Sequence, residues 1–72
     1  MSDPASDQLF IRLATSAFRM GLADGRTWAR PRDSHEVMRA IGASIPDQRV
    51  LHRTKLRQVY GAGFDIARLE AK

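Results

Sequence analysis

The chain contains no cysteine among its 72 residues. Disulfide bonds, thiolate metal sites and a thiol nucleophile are therefore excluded. No apolar run approaches the ~20 residues that a helix needs to cross a bilayer. The first seven residues also lack the basic and apolar regions of a secretory signal. We therefore expect a soluble, cytoplasmic protein that does not enter a membrane.

The sequence also lacks the groupings of residues that catalysis requires. The two histidines, His35 and His52, fall in different predicted helices, and no set of three or four ligands converges with them as a metal site requires. Residues 61–63 do not form a phosphate loop, because no strand precedes them and no Lys-Ser or Lys-Thr follows. We therefore expect a protein without enzymatic activity, metal, cofactor or small-molecule substrate.

Positive charge is in excess. Twelve Lys and Arg residues against eight Asp and Glu give a net charge of +4 and a pI of about 10.7. Such an excess attracts phosphates and acidic protein surfaces. A solvated surface without a charged partner is the alternative interpretation, since +4 is modest for this length.

Hydrophobic periodicity predicts one all-α domain, residues 1–72, with two long helices around a short one. The first helix, over about 4–24, has Asp3 as its cap and Pro4 in its first turn, and it ends at Asp24-Gly25. The third covers about 45–69, and a break near Gly61 stays open because glycine weakens a helix interior by about 0.5–1 kcal/mol. Apolar residues recur in both at spacings of three and four: Leu9, Phe10, Leu13, Ala14, Ala17, Phe18 and Gly21, then Leu56, Val59, Tyr60, Gly63, Phe64 and Ala67.

The short second helix is expected over about 34–43. Asp33 and Glu36 have the spacing of a capping box, which favours a helix start at this point. The stretch 26–32 before it shows no periodicity, and Pro31 disfavours helix there. We therefore expect an irregular linker between the first two helices.

One pattern occurs in both long helices. In Phe18–Arg26 and Tyr60–Arg68 an aromatic residue is followed three positions later by glycine, then by a bulky apolar residue, and the segment closes with a small residue and arginine. Glycine on a buried helix face lets a second backbone approach closely. We expect the two helices to cross at Gly21 and Gly63 beneath Phe18 and Tyr60, as an antiparallel pair within one chain or between two. A homodimer is therefore an open alternative.

These paired segments resemble the aromatic-glycine segments of ribosome modulation factors. The chain lacks that family's Cys-Pro-Tyr turn and its tryptophan-rich second half. The resemblance covers only the two segments, so no function is carried over from it.

Protein binding is the function that we expect first. Trp28 stands in the irregular linker, and Trp and Arg are the residues most enriched at interface hot spots. Ile11 and Ile66 lie off the predicted core stripes and are candidates for a partner or dimer surface. These features favour a small regulator, adaptor or inhibitor of a larger protein. A Trp28 ring folded back onto the core is the structural alternative.

Nucleic-acid binding, to DNA or RNA, is the alternative function. In the linker Arg26, Arg30 and Arg32 flank Trp28, which combines phosphate contacts with one stacking ring. The start of the third helix adds a basic collar that consists of Arg49, His52, Arg53, Lys55 and Arg57. The identity of the partner stays open between protein and nucleic acid.

Overall fold

The fold consists of three helices. The structure, a computed structural model, describes residues 4–42 and 50–70, with side chains for 8–42 and 52–70. Helix α1 covers Pro4–Arg26, α2 covers Ser34–Ala40 and α3 covers Val50–Glu70. The expected small all-α fold is confirmed. The predicted cap Asp3 and the predicted start of the third helix near residue 45 lie outside the described residues.

The helix ends differ from the expected ones for local reasons. Helix α2 stops at Ala40, earlier than the expected 43, because Ile41 caps it and Gly42 takes a left-handed φ of 78°. The capping box is present. The Glu36 backbone N–H donates to the Asp33 carboxylate, and the Asp33 backbone N–H donates to the Glu36 carboxylate. Helix α3 continues through Gly61 without the break that the sequence left open.

Helices α1 and α3 run parallel, so the antiparallel arrangement expected from the sequence was wrong. Their contacts follow the same order along both helices: Phe10 with His52, Gly21 with Tyr60, and Gly25 with Ala67. A parallel pair needs a return connection between its members. The linker and α2 are the described part of this connection, and residues 43–49 lie outside the described residues.

Helix α2 covers one side of this pair. Val37 packs into a buried cluster with Ala17, Tyr60 and Phe64, and Met38 into a second cluster with Leu13 and Leu56. Leu56 and Tyr60 are fully buried. The core therefore lies between α2 and one side of the α1–α3 pair.

The backbones of α1 and α3 touch at three glycines, Gly21 and Gly25 on α1 and Gly63 on α3. A Cβ atom on Gly21 would overlap the Tyr60 carbonyl oxygen and lie 2.9 Å from the Phe64 amide nitrogen. A Cβ on Gly63 would lie 2.5 Å from the Phe18 carbonyl oxygen and 3.2 Å from the Leu22 amide nitrogen. Small residues four positions apart permit such an approach, and α1 has Gly21 and Gly25 where α3 has Gly63 and Ala67.

An approximate two-fold axis, parallel to the two helices, relates these contacts to each other. Gly21 contacts Tyr60 and Phe64, and Gly63 contacts the corresponding residues Phe18 and Leu22. The corresponding positions in α1 and α3 are separated by the same 42 residues, as in 18 and 60, 21 and 63, and 22 and 64. We call such positions equivalent. The aromatic-glycine pattern that occurs in both helices supplies the residues that make these symmetric contacts.

Replacing Gly21 by alanine should destabilise the protein. The new methyl group meets backbone, which cannot yield without separating the helices, and overpacking of this kind costs about 1–3 kcal/mol. Gly61→Ala is the matched control, because the only atom near its Cβ is the mobile tip of Arg57 at 2.8 Å. There the gain in helix propensity should raise the free energy of unfolding by about 0.5–1 kcal/mol. Equal changes for the two variants in urea denaturation would contradict this role of Gly21.

Candidate functional site

A half-buried polar group ties the linker to the helix pair. The Asp24 carboxylate accepts from the Tyr60 hydroxyl at 2.6 Å and from Arg32 Nε at 2.8 Å. The Tyr60 oxygen in turn accepts from the Arg32 backbone N–H at 3.1 Å. These three residues come from α1, the linker and α3, so together they set where the linker leaves α1.

The ionisation of this group follows from its contacts. Burial raises the pKa of Asp24, but the hydrogen bonds from Arg32 and Tyr60 and the charge of Arg32 outweigh it and hold the pKa below its ordinary value. Burial and the hydrogen bond to Asp24 raise the pKa of Tyr60. Arg32 is therefore committed to Asp24, and its role in the structure is to fix the linker.

Trp28 occupies the position that ends α1. The Trp28 N–H donates to the Gly25 carbonyl at 3.4 Å, and the Ala29 N–H donates to the Asp24 carbonyl at 3.2 Å. This is the Schellman arrangement, whose left-handed residue is usually glycine, and here Trp28 takes it with a φ of 58°. The sequence placed the stop at Gly25 instead, but Gly25 stays helical and packs against Phe64 and Ala67.

The Trp28 ring lies on the surface, with 53% of the residue exposed. Arg68 supports it from α3: the guanidinium carbon lies 4.7 Å from the Trp28 ring and 4.5 Å from the Phe64 ring. Arg68 also donates to the Ala29 carbonyl at 2.9 Å. The alternative in which Trp28 plugs the core is therefore wrong, because the core is filled by Phe64 and the guanidinium separates the two rings.

The other predicted linker cations differ in their surroundings. Arg30 is mostly exposed and pairs with Glu36 at 3.3 Å. Arg26 is exposed at the end of α1. The structure therefore brings Arg26 and Arg30 to the surface near Trp28 in the chain, whereas Arg32 is half-exposed and paired with Asp24.

The residues of the predicted basic collar on α3 differ in their contacts and exposure. His52 stacks on Phe10 with ring centroids 5.1 Å apart, and the Arg57 guanidinium lies 5.3 Å from the Tyr60 ring. Arg53 is half-buried and Lys55 is exposed. Arg49 lies outside the described residues.

A second row of cations was missed in the sequence. Arg12, Arg19 and Arg26 are all exposed on α1, and none has an ion pair within the described part of the chain. Their spacing of seven residues, which is close to two helical turns, places them on one face about 10 Å apart. That spacing was the signal that could have found them.

Neither similarity to known proteins nor a metal or membrane feature identifies this protein's chemistry. No protein-family model, curated protein or solved structure matches the chain. Among the described residues, no three His, Asp or Glu side chains gather as metal ligands. In the same part of the chain, no helix combines the length and apolar character that a membrane span requires.

The half-buried Asp24 carboxylate should make stability depend on pH. Because the pKa of Asp24 is depressed on folding, its contribution is complete above the unfolded-state value of 3.8 and declines as pH falls through the lower folded value. Asp24→Asn should therefore lower the free energy of unfolding at pH 7 by about 1–3 kcal/mol, and the difference from the unmodified protein should shrink below about pH 4. Thermal melts from pH 2 to 7 measure this; a difference independent of pH would contradict it.

Proposed function

We propose that this chain is a small non-enzymatic protein that regulates or adapts a larger protein by binding it, with Trp28 as the anchor. The conformation and exposure of Trp28 are the observation that carries this proposal. A non-glycine residue in the left-handed region costs about 1–2 kcal/mol, and a bulky one there persists only where its surroundings hold it. Here Trp28 adopts this strained conformation while its ring stays 53% exposed. An exposed ring contributes less to stability than a buried one.

The surroundings of Trp28 suit a protein interface. The Arg68 guanidinium packs on the Trp28 ring, which reduces the rotamer freedom that the ring would lose on binding. Exposed Arg26 and Arg30 stand on either side of it in the chain. The complementary surface is an apolar pocket bordered by carboxylates, because charges at the rim of an interface act mainly by complementarity.

Two variants at Trp28 separate its binding role from its folding role. Both Trp28→Ala and Trp28→Gly remove the ring, so both should lose the partner in a nuclease-treated pulldown from native extract. Trp28→Gly should also be more stable than Trp28→Ala by about 1–2 kcal/mol, since glycine accepts the left-handed conformation. Retention of the partner by both variants would contradict the anchor role. Unfolding of Trp28→Ala would show that the ring serves the core.

The arginine row on α1 favours nucleic acid as a second candidate. Ser16 and Ala23 lie between the arginines on the outer side of the helix, and within the described part of the chain none of the three guanidinium groups has an ion pair. Guanidinium groups bind phosphates in a bidentate manner. The row ends at Arg26, two residues before Trp28, whose ring could stack on a base.

The second candidate predicts salt-dependent binding of a generic single-stranded oligonucleotide. Replacing Arg12, Arg19 and Arg26 together by glutamine should weaken binding and reduce the slope of log affinity against log salt by about 0.7 for each phosphate that the variant no longer neutralises. Arg39→Gln, at an exposed position on α2, is the control and should change little. Fluorescence anisotropy at low salt measures both. Absence of binding there would remove the candidate.

A further inference from the structure

The backbone hydrogen bonds at the end of α1 do not explain why tryptophan occupies position 28. The bonds from the Trp28 and Ala29 N–H groups to α1 form equally well with glycine, which accepts a left-handed φ without steric cost. A tryptophan with a φ of 58° therefore needs a contact that glycine cannot make. That contact must involve the side chain, because the backbone bonds are the same for both residues.

Arg68 contacts both the Trp28 ring and the backbone beside it. The guanidinium carbon lies over the indole, 4.7 Å from its centroid. Nη2 of the same guanidinium donates to the Ala29 carbonyl at 2.9 Å. Ala29 directly follows Trp28 in the chain, so one side chain of α3 binds the ring and the segment that carries it. Together the two contacts define the position of the ring relative to α3.

Arg68 is itself placed by stacking on α3. Its guanidinium carbon lies 4.5 Å from the ring of Phe64, a buried residue one helical turn earlier on the same helix. The Arg68 Nε is buried and has no hydrogen-bond partner among the described residues. A buried donor without a partner is unfavourable, whereas a guanidinium plane on aromatic faces is favourable. The two rings therefore determine where the guanidinium lies.

The equivalent residue on α1 shows that this arrangement is not a general feature of the helix pair. Arg26 lies 42 residues before Arg68 and is exposed. The position equivalent to Trp28 is Glu70, which still belongs to helix α3. The contact between arginine and tryptophan therefore arises only where the linker leaves α1, and the symmetry of the pair does not account for it.

We propose that Arg68 is the positioning residue of the Trp28 site. Arg68 holds Trp28 in its left-handed conformation with the ring directed outward, and removal of the guanidinium releases the ring. Arg68 acts through Trp28 and need not contact the partner. The proposal rests on the proposed function, because the placement of the ring matters to a partner only where Trp28 is the anchor.

The test uses the full chain and the mobility of one group. Trp28 is the only tryptophan, so its indole N–H gives a single NMR signal in the nitrogen-15-labelled protein. In the unmodified chain its order parameter should be near the value of about 0.85 found for rigid groups, and in Arg68→Met it should fall below about 0.6, the range of flexible groups. Arg68→Lys keeps the charge but lacks the planar group that lies between the two rings. It should restore the order parameter only in part.

Arg39→Met is the matched control. It makes the same side-chain change at an exposed position on α2, and it should leave the order parameter of the indole N–H unchanged. The amide spectrum outside residues 24–32 should match that of the unmodified chain in every variant, which separates release of the ring from a general loss of structure. If Arg68→Met does not fold, Arg68→Lys decides the comparison.

Two results would overturn the proposal. The first is an indole order parameter in the folded Arg68 variants that equals that of the unmodified chain. The second is a larger fall in Asp24→Asn than in Arg68→Met, which would show that the contact between Asp24 and Arg32 positions the ring. Neither measurement requires a partner. A failure of the positioning role is therefore distinguishable from a failure of the anchor role, which retention of the partner by Trp28→Ala would reveal.

Discussion

The close approach of the α1 and α3 backbones at Gly21 and Gly63 is the constraint on which the rest of the structure depends. Each glycine lies where a side chain would overlap the other helix. Because equivalent residues make the same contact in both directions, the helices share one register and one direction. This register places Tyr60 opposite Asp24. The hydrogen bonds of that pair then fix Arg32 and the linker.

The size of the chain limits what can be covered. Small domains bury a smaller fraction of their surface than large ones, and among the described residues one short helix, α2, packs against the pair. Helix α2 takes the side on which Asp24 and Tyr60 can bind the linker. The other side keeps Phe18, Leu22 and Ile66 partly exposed. The two sides also differ in their apolar residues, because Leu13 and Leu56 on the covered side have Lys55 and Ala14 as their equivalents.

The distribution of cations illustrates how the fold sorts like residues into different roles. Arg32 and Arg68 are used internally, one on a carboxylate and one between two aromatic rings. Arg30 pairs with Glu36. Arg12, Arg19 and Arg26 stay exposed along α1. A count of charges therefore gives a poor guide to the cations available to a partner, because ion pairing and stacking depend on neighbours distant in the chain.

The sequence by itself determined the three helices, the capping box at Asp33 and Glu36, and the repeated aromatic-glycine pattern, because periodicity, capping and residue size act over a few neighbouring residues. The tertiary structure decided the parallel direction of α1 and α3, since the same pattern is compatible with either direction until the return path of α2 is known. It also decided that Gly25 serves packing while Trp28 ends α1. Whether a glycine relieves backbone strain or admits a neighbouring helix depends on what packs against it, and that neighbour is encoded elsewhere in the chain.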